Sequence, residues 1–398
     1  MLRYQPSSAT KIKFKDALAS RYLNQTGELN FKKLMSNYLD TDYFITHTSF
    51  MRSILSCLKY IKDQHPDKTK VLLPRYSCMT FAHAIIEAGL EIKYCDQNSD
   101  DLSIDLQSLE KEYDDEVLAL ICVNLLGLSN RMNSIKSFCV SKKIFLVEDL
   151  GYSIGTEYKN TKLGNFGDFS VLNFKEGKTL PISGGMVATS NKDYYMSNSS
   201  QASNHDFNFI RTVALIFLFN SYFYSLFNIL MNIFKINFRR SLTSEDTLLD
   251  SNDEYKFNFS SDERNFKLSP AQFELGSRIL KTFSEQRRVR KKNSIIYSKN
   301  LKNLHGIKLI EQPFNSLTHY TRYPILVHEK RDELMKILNL NGIEATSLYQ
   351  TLSYKLDLFP GSKKIKKQIL TLPLHPLMHD KDIKKTIRII TSFSKNMK

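Results

Sequence analysis

Residues 117–150 read VLALICVNLLGLSNRMNSIKSFCVSKKIFLVEDL. The run VLALICVN (117–124) is continuously apolar, as expected of a strand buried on both faces. NSIKSFCVSKK (133–143) has the spacing of a helix, and IFLVEDL (144–150) is a second buried strand. The pattern continues upstream. VLLP (71–74) reads as a strand, TFAHAIIEAG (80–89) as a helix ending at Gly89, EIKYCD (91–96) as a strand and DLQSLEKEY (105–113) as helical. Strands alternating with helices predict an α/β fold with a largely parallel sheet joined by crossovers. Ligands of such sheets collect beyond the carboxyl ends of the strands. Asp96, Asn124 and Asp149 stand at those ends.

The whole chain has 398 residues, enough for two or three domains and for a large core that needs no disulfides or metals. A hydrophobic share of 42% with 24% charged residues is globular composition and excludes a disordered chain. Its net charge of +15 leaves nucleic acid, an anionic membrane surface and phosphorylated small molecules as candidate partners. The five cysteines lie within the first 140 residues without a C-x-x-C pair, which argues against a zinc site or disulfide framework and for a reducing cytoplasm. No apolar run follows the first charged residues, which argues against a signal peptide. RRVRKK (287–292) lies on a helical stretch and reads as a solvated face, with no nucleic-acid-binding signature beside it. His375 and His379 have metal-like spacing but no acidic or cysteine companion, and read as surface-loop residues.

From Val213 to Phe234 runs VALIFLFNSYFYSLFNILMNIF, flanked by Arg211, Lys235, Arg239 and Arg240. It approaches the roughly 20 residues of a bilayer span. Asn220, Ser221, Asn228 and Asn232 interrupt it. Three readings stand: a helix buried against the core or a partner subunit, a helix lying in the membrane interface, and a span. A polar stretch that reads as mobile (242–255) follows. Then come a helical stretch from Pro270 to Leu301 and a smaller α/β module built from HYTRYPILV, RDELMKILNLNGIEATSLY and ILTLPLHP.

Val147 to Gly185 reads VEDLGYSIGTEYKNTKLGNFGDFSVLNFKEGKTLPISGG. Asp149 ends a buried strand, and Lys178 sits in a turn close to thirty residues later. A strand-end acid with a loop lysine is what pyridoxal phosphate (PLP) chemistry requires. The lysine holds the cofactor's aldehyde carbon, and the carboxylate keeps the pyridine nitrogen protonated so that the ring draws in electrons. On its own the pair also fits a loop-capping aspartate and a solvated lysine.

The run P-x-Y-S-C-x-T-F-x-x-A-I-x-x-A-G from Pro74 to Gly89, the segment EDLGYSIGTEY…GNFGDFS…GKTLP…GG, NFKLSPAQFELG (265–276) and the C-terminal strings together resemble the DegT/DnrJ/StrS family of PLP-dependent sugar aminotransferases. The resemblance covers roughly residues 45–200 and 260–390. It implies the aspartate aminotransferase-like fold, a three-layer α/β/α arrangement and a homodimer. It also implies a large PLP-binding domain over 1–265, with a hydrophobic insertion about 207–240, and a small domain over 266–398. Asp149 matches the family's pyridinium partner and Lys178 its cofactor-bearing lysine, with Lys175 the nearby competitor. Tyr152 stands where a glutamine usually bonds the cofactor's phenolic oxygen, and Asn173 where a phosphate-binding serine is usual. Thr48 and Ser49 occupy the family's phosphate-binding helix start, and also suit a plain N-cap; His47 replaces a glycine there. Cys78 takes the place of a ring stacked on the cofactor, and Asn265 resembles a residue that reaches the neighbouring subunit's cofactor phosphate. Arg75 reads as a surface arginine or an anion clamp.

The expected function is amino transfer from an amino acid such as glutamate to a keto-sugar, nucleotide-linked, in cell-surface polysaccharide or glycan biosynthesis. The expected place is the cytoplasm, at the inner membrane face if 211–240 makes peripheral contact. No metal and no nucleic acid are expected. Sugar dehydration and a non-catalytic membrane-associated homologue are the alternatives; the family's dehydratases carry histidine in place of the lysine, which disfavours the first.

Overall fold

The computed structural model describes residues 4–22, 26–199, 208–218, 220, 223–225, 267–312, 316–349 and 356–397. Asn265, the polar stretch 242–255 and most of Val213–Phe234 lie outside the described residues.

Strands β1 (Tyr43–His47), β2 (Lys70–Pro74), β3 (Glu91–Cys95), β4 (Val117–Val123), β5 (Phe145–Asp149), β8 (Phe169–Asn173) and β9 (Gly185–Thr189) form one sheet in the order β1-β9-β8-β5-β4-β2-β3. The two-residue strands β6 (Glu157–Tyr158) and β7 (Thr161–Lys162) lie between β5 and β8 in sequence. Pairing is parallel from β3 through β2, β4 and β5 to β8, whereas β9 runs antiparallel to both β8 and β1. Six of the seven strands therefore end at the same edge.

Side chains alternate between the faces of a strand, and each face has its own core. Val71, Ile121, Val147, Val171 and Val187 pack on one side with Ile54, Leu58 and Phe81 of the covering helices. Leu72, Leu120, Leu146, Leu172 and Met186 pack on the other with Met132, Ile135 and Phe138. Every residue of β4 is buried, which is why its sequence shows no alternation. The expected three-layer α/β fold is present. A second sheet, β10-β12-β13, joins Ile307–Leu309, Tyr323–Val327 and Ile369–Leu372 antiparallel, and a short β11 (Ser316–Leu317) pairs with β6.

The GNFGD motif is explained by Glu148. Its buried carboxylate accepts N–H bonds from Gly164 at 2.9 Å, Phe166 at 2.7 Å and Gly167 at 2.7 Å. Burial pushes the carboxyl pKa up, and the three N–H groups pull it back. Asp168 completes the tie by accepting Leu146 N–H at 2.8 Å. These bonds fasten the excursion carrying β6 and β7 to β5, so that β8 enters the sheet beside it.

Two sequence expectations need correction. His375 is not on a surface loop but buried, while exposed His379 caps the Asp380–Lys395 helix. Arg75 is not a surface arginine; it is buried, with its guanidinium carbon 4.6 Å from the Tyr94 ring centroid. All five cysteines are buried free thiols. Among the described residues of the apolar segment and the turn before it, Thr212, Leu215, Tyr224 and Ser225 are buried, while Ile210, Phe217 and Phe223 are exposed. No helix among the described residues is long and apolar enough to cross a membrane.

Glu148→Gln replaces an acceptor oxygen with a donor facing N–H groups. Each buried donor left unpaired costs about 1–3 kcal/mol. The variant is expected to unfold at a clearly lower urea midpoint with an unchanged slope, and an unchanged midpoint would contradict the assigned role.

Candidate active site

The shared strand edge gathers most of the residues singled out in the sequence. Asp149 ends β5 opposite Val123 on one side and Val171 on the other. Asn173 ends β8 opposite Gly185, and His47 ends β1 opposite the same glycine. Thr48 and Ser49 follow His47, so the phosphate-type helix start lies one strand from Asn173.

Close backbone approach at this corner demands glycine. A Cβ on Gly185 would stand 2.4 Å from Ser53 Oγ and 2.8 Å from Phe50 Cα. Gly184 has φ +95 and would place a Cβ 2.6 Å from the His47 carbonyl oxygen. The double glycine thus lets the first turn of the Phe50–Gln64 helix sit on β9.

Asp149 is 4% exposed, and its Oδ1 accepts the Gly151 N–H at 2.7 Å. A Cβ on Gly151 would lie 3.0 Å from that oxygen and 3.3 Å from Asn173 Cβ, so Asp149, Gly151 and Asn173 are immediate neighbours. Asn124, at the end of β4, donates its amide to the Asp149 carbonyl at 3.4 Å. Lys178 lies in the β8–β9 connection and is 6% exposed, whereas Lys175 is half-buried. The Lys178 Nζ stands 3.4 Å from the centroid of the Tyr152 ring. Tyr152 is therefore no remote packing residue: its π face meets the lysine's Nζ. The connection is closed by Phe174 N–H to Gly184 O at 3.0 Å and Ser183 N–H to Phe174 O at 2.8 Å. Asn173 Oδ1 starts its turn by accepting Lys175 N–H at 3.0 Å.

Ser49 is an N-cap, with its hydroxyl accepting Arg52 N–H at 3.2 Å. Cys78 holds the N-cap position of the Met79–Glu87 helix, with Sγ 3.2 Å from Thr80 Oγ1. Phe50 and Phe81 bring these two helix starts together, their rings 5.5 Å apart and nearly perpendicular. His47 turns into the core, where Nε2 lies 3.1 Å from Ser56 Oγ. Its Nδ1 is buried without a hydrogen-bond partner.

Sequence reasoning missed three contributors. Ser8 donates to Gly177 O at 2.8 Å and Thr10 to Lys178 O at 3.1 Å, so the N-terminal segment braces the lysine loop. Arg211 ion-pairs with Glu176 in that loop and donates to Ser183 Oγ at 3.0 Å. Arg322, at the start of β12, is 9% exposed and reaches the loop from the second sheet. A Cβ on Gly177 would be 3.7 Å from its Nη2; its Nη1 donates to Thr346 at 3.2 Å, and its buried Nε has no hydrogen-bond partner. No local pattern in RYPILV marks that arginine as different from any strand-flanking cation.

Residues 8–208 and 251–391 match the sequence model of the DegT/DnrJ/EryC1/StrS aminotransferase family. The chain belongs to this family. Aminotransferases of the DegT/DnrJ/EryC1/StrS family act on sugars and depend on PLP. The unmatched stretch 209–250 contains the apolar run. Over 197 residues the chain is 25% identical to a GDP-perosamine synthase of Escherichia coli O157:H7, covering 48% of this chain and 54% of that protein. It thus spans about half the length of that relative. Over 127 residues it is 28% identical to a GDP-4-keto-6-deoxy-D-mannose 3-dehydratase of Escherichia coli O55:H7, covering 32% of this chain and 33% of the dehydratase. Among solved structures, Helicobacter pylori PseC, an aminotransferase involved in the biosynthesis of pseudoaminic acid, matches with TM-score 0.76 at 19% identity. That match covers 99% of this chain and 100% of PseC, and at such identity it establishes the fold.

The buried His47 ring gives the site a pH signature. Burial, and secondarily Arg52, lowers its pKa from 6.5 to about 4. The unfolded chain therefore takes up a proton here as pH falls below 6.5, while the folded chain takes it up only near 4. The stability contributed by the neutral ring is full above pH 6.5 and is lost as pH falls through 4, on the order of 3 kcal/mol in all. His47→Gln is expected to flatten the fall of unfolding free energy across that window, read by urea titration at several pH values; an unchanged slope would refute it.

Proposed function

We propose that this chain is a PLP-dependent aminotransferase that moves an amino group from an amino acid, with glutamate as the donor, to a nucleotide-linked keto-sugar. The observation that carries the reading is the buried Lys178 Nζ against Tyr152, in a connection anchored beside buried Asp149. The residues fit the cofactor. Asp149 would hold a protonated ring nitrogen, Lys178 would carry the aldehyde carbon, and Tyr152 and Cys78 would border the ring. Thr48, Ser49 and Asn173 would take the phosphate, with the partner subunit's contribution assigned to Asn265. When bound, PLP supplies an electron-withdrawing ring that stabilises negative charge at the donor's α-carbon.

The chain's own groups do the rest. Lys178 Nζ would serve as the acid–base group that moves the proton at the donor's α-carbon. The unpaired Nε of Arg322 suits a carboxylate oxygen of the donor, because a buried cation gains most from an anionic acceptor. A division into a large domain over 1–265 and a small one over 266–398, a homodimer, and a place in cell-surface polysaccharide or glycan synthesis belong to the same proposal. So does a cytoplasmic site with peripheral membrane contact through 211–240.

Lys178→Ala is expected to abolish the near-visible absorption band of lysine-bound PLP, while Lys175→Ala keeps it. A borohydride-fixed adduct surviving unchanged in Lys178→Ala would move the role elsewhere. With glutamate, the protein should release 2-oxoglutarate and pass its amino group to a member of a nucleotide keto-sugar panel. Arg322→Leu should raise the glutamate concentration required by on the order of tenfold while leaving PLP binding intact. The likeness to a 3-dehydratase favours a second reading, sugar dehydration. Consumption of keto-sugar with no 2-oxoglutarate formed from glutamate would select it over transfer.

A further inference from the structure

The RRVRKK run is not simply a solvated face. Arg288, Lys291 and Lys292 are exposed, but Arg290 is 2% exposed and faces inward. A cavity of about 210 Å³ opens beside it, lined among others by Arg287, Arg288, Arg290, Lys291, Thr318 and His319. No carboxylate is among its lining residues, and no ion pair engages these four cations among the described residues.

Several residues that line this cavity carry polar atoms without partners. Arg290 spends Nη2 on Ala9 O at 3.0 Å, while its Nε and Nη1 are buried and unpaired. Thr318 Oγ1 and both ring nitrogens of His319 are likewise buried without hydrogen-bond partners. Native proteins rarely leave buried donors unsatisfied, and a buried cation without a counter-charge is costlier still. So dense a group among the residues around one cavity points to a place for a ligand rather than a packing fault.

We propose that this cavity is an oxyanion site that takes a phosphate group. Arg287, Arg290 and Lys291 fall at i, i+3 and i+4 on one helix face, and Thr318 and His319 add a hydroxyl and an imidazole N–H from the segment entering β12. Several donors on two elements with four positive charges match a multiply charged oxyanion better than a single carboxylate. The volume holds about seven waters at ~30 Å³ each, below the ~300–1,000 Å³ of pockets that enclose a whole ligand. It therefore suits a phosphate group, free or at the end of a larger molecule that stays outside.

The site shares a wall with the catalytic turn. Arg287 donates to Gly155 O, and His319 N–H donates to Thr156 Oγ1 at 2.9 Å, which itself donates to Gly127 O at 2.9 Å. Gly155 and Thr156 close the turn that starts at Asp149 and carries Tyr152. The pocket is nevertheless separate from the helix start at Ser49 assigned to the cofactor's phosphate.

The test uses the full-length protein saturated with PLP, so that the cofactor's phosphate site is filled, and titrates inorganic phosphate by calorimetry against a chloride control. One saturable site per chain is expected, weakened on the order of tenfold or more in both Arg287→Met and Thr318→Val. Thr318→Val keeps the side chain's shape and so guards against a variant that fails to fold. Uridine diphosphate competing with phosphate and binding more tightly assigns the site to a substrate's phosphate; absence of competition assigns it to free phosphate. No saturation up to about 10 mM phosphate, or an affinity unaltered in both variants, overturns the proposal. Because the readout is phosphate binding, it stays distinct from any failure of the aminotransferase reading, which the absorption band reports.

Discussion

Much of the architecture depends on one buried carboxylate. Glu148 is enclosed between the sheet and the 164–167 turn, and three backbone N–H groups from that turn satisfy it. A carboxyl group in so dry a place needs such hydrogen bonds. Because neighbouring residues of a strand face opposite ways, the anchor at 148 fixes which way Asp149 points. The same bonds return the chain to the sheet beside β5, so that β8 ends with Asn173 next to Asp149. The Lys178 connection then begins where the acid already is.

That connection is braced by chain distant in sequence. Ser8 and Thr10 hold its carbonyl groups, Arg211 holds Glu176, and Gln272 donates to Ile182 O at 2.7 Å. Arg322 adds a contact from the second sheet. A buried lysine gains a defined position only when such partners remove the freedom its long side chain would otherwise keep. The N-terminal segment continues past the loop to pair Gln5 with Ile343, and Ser7 N–H donates to Glu344 at 2.8 Å. One extended strand of chain thus joins the lysine loop to the C-terminal region.

The strands and crossover helices of residues 70–150 were legible because each relies on a local signal. A doubly buried parallel strand must be continuously apolar, and a crossover helix must show one apolar stripe. Asp149 was legible for the same reason: it is the polar residue at which an apolar run stops. The resemblance to the family's motif favours Lys178 over Lys175, and the fold adds a physical difference in burial. The misreadings of Arg75, His375 and Arg290 share one cause. Each is a polar residue whose burial is imposed by elements far away in the chain.

By itself the sequence determined the α/β class and the alternation of strands and helices along the chain, because periodicity and residue type act within a few neighbours. Only the tertiary structure decided that β9 runs against the sheet and that Tyr152 lies under the lysine. It also decided that Arg322 reaches the same loop and that four cations share one cavity. Those facts depend on distances between residues separated by tens to hundreds of positions, and no local pattern records them.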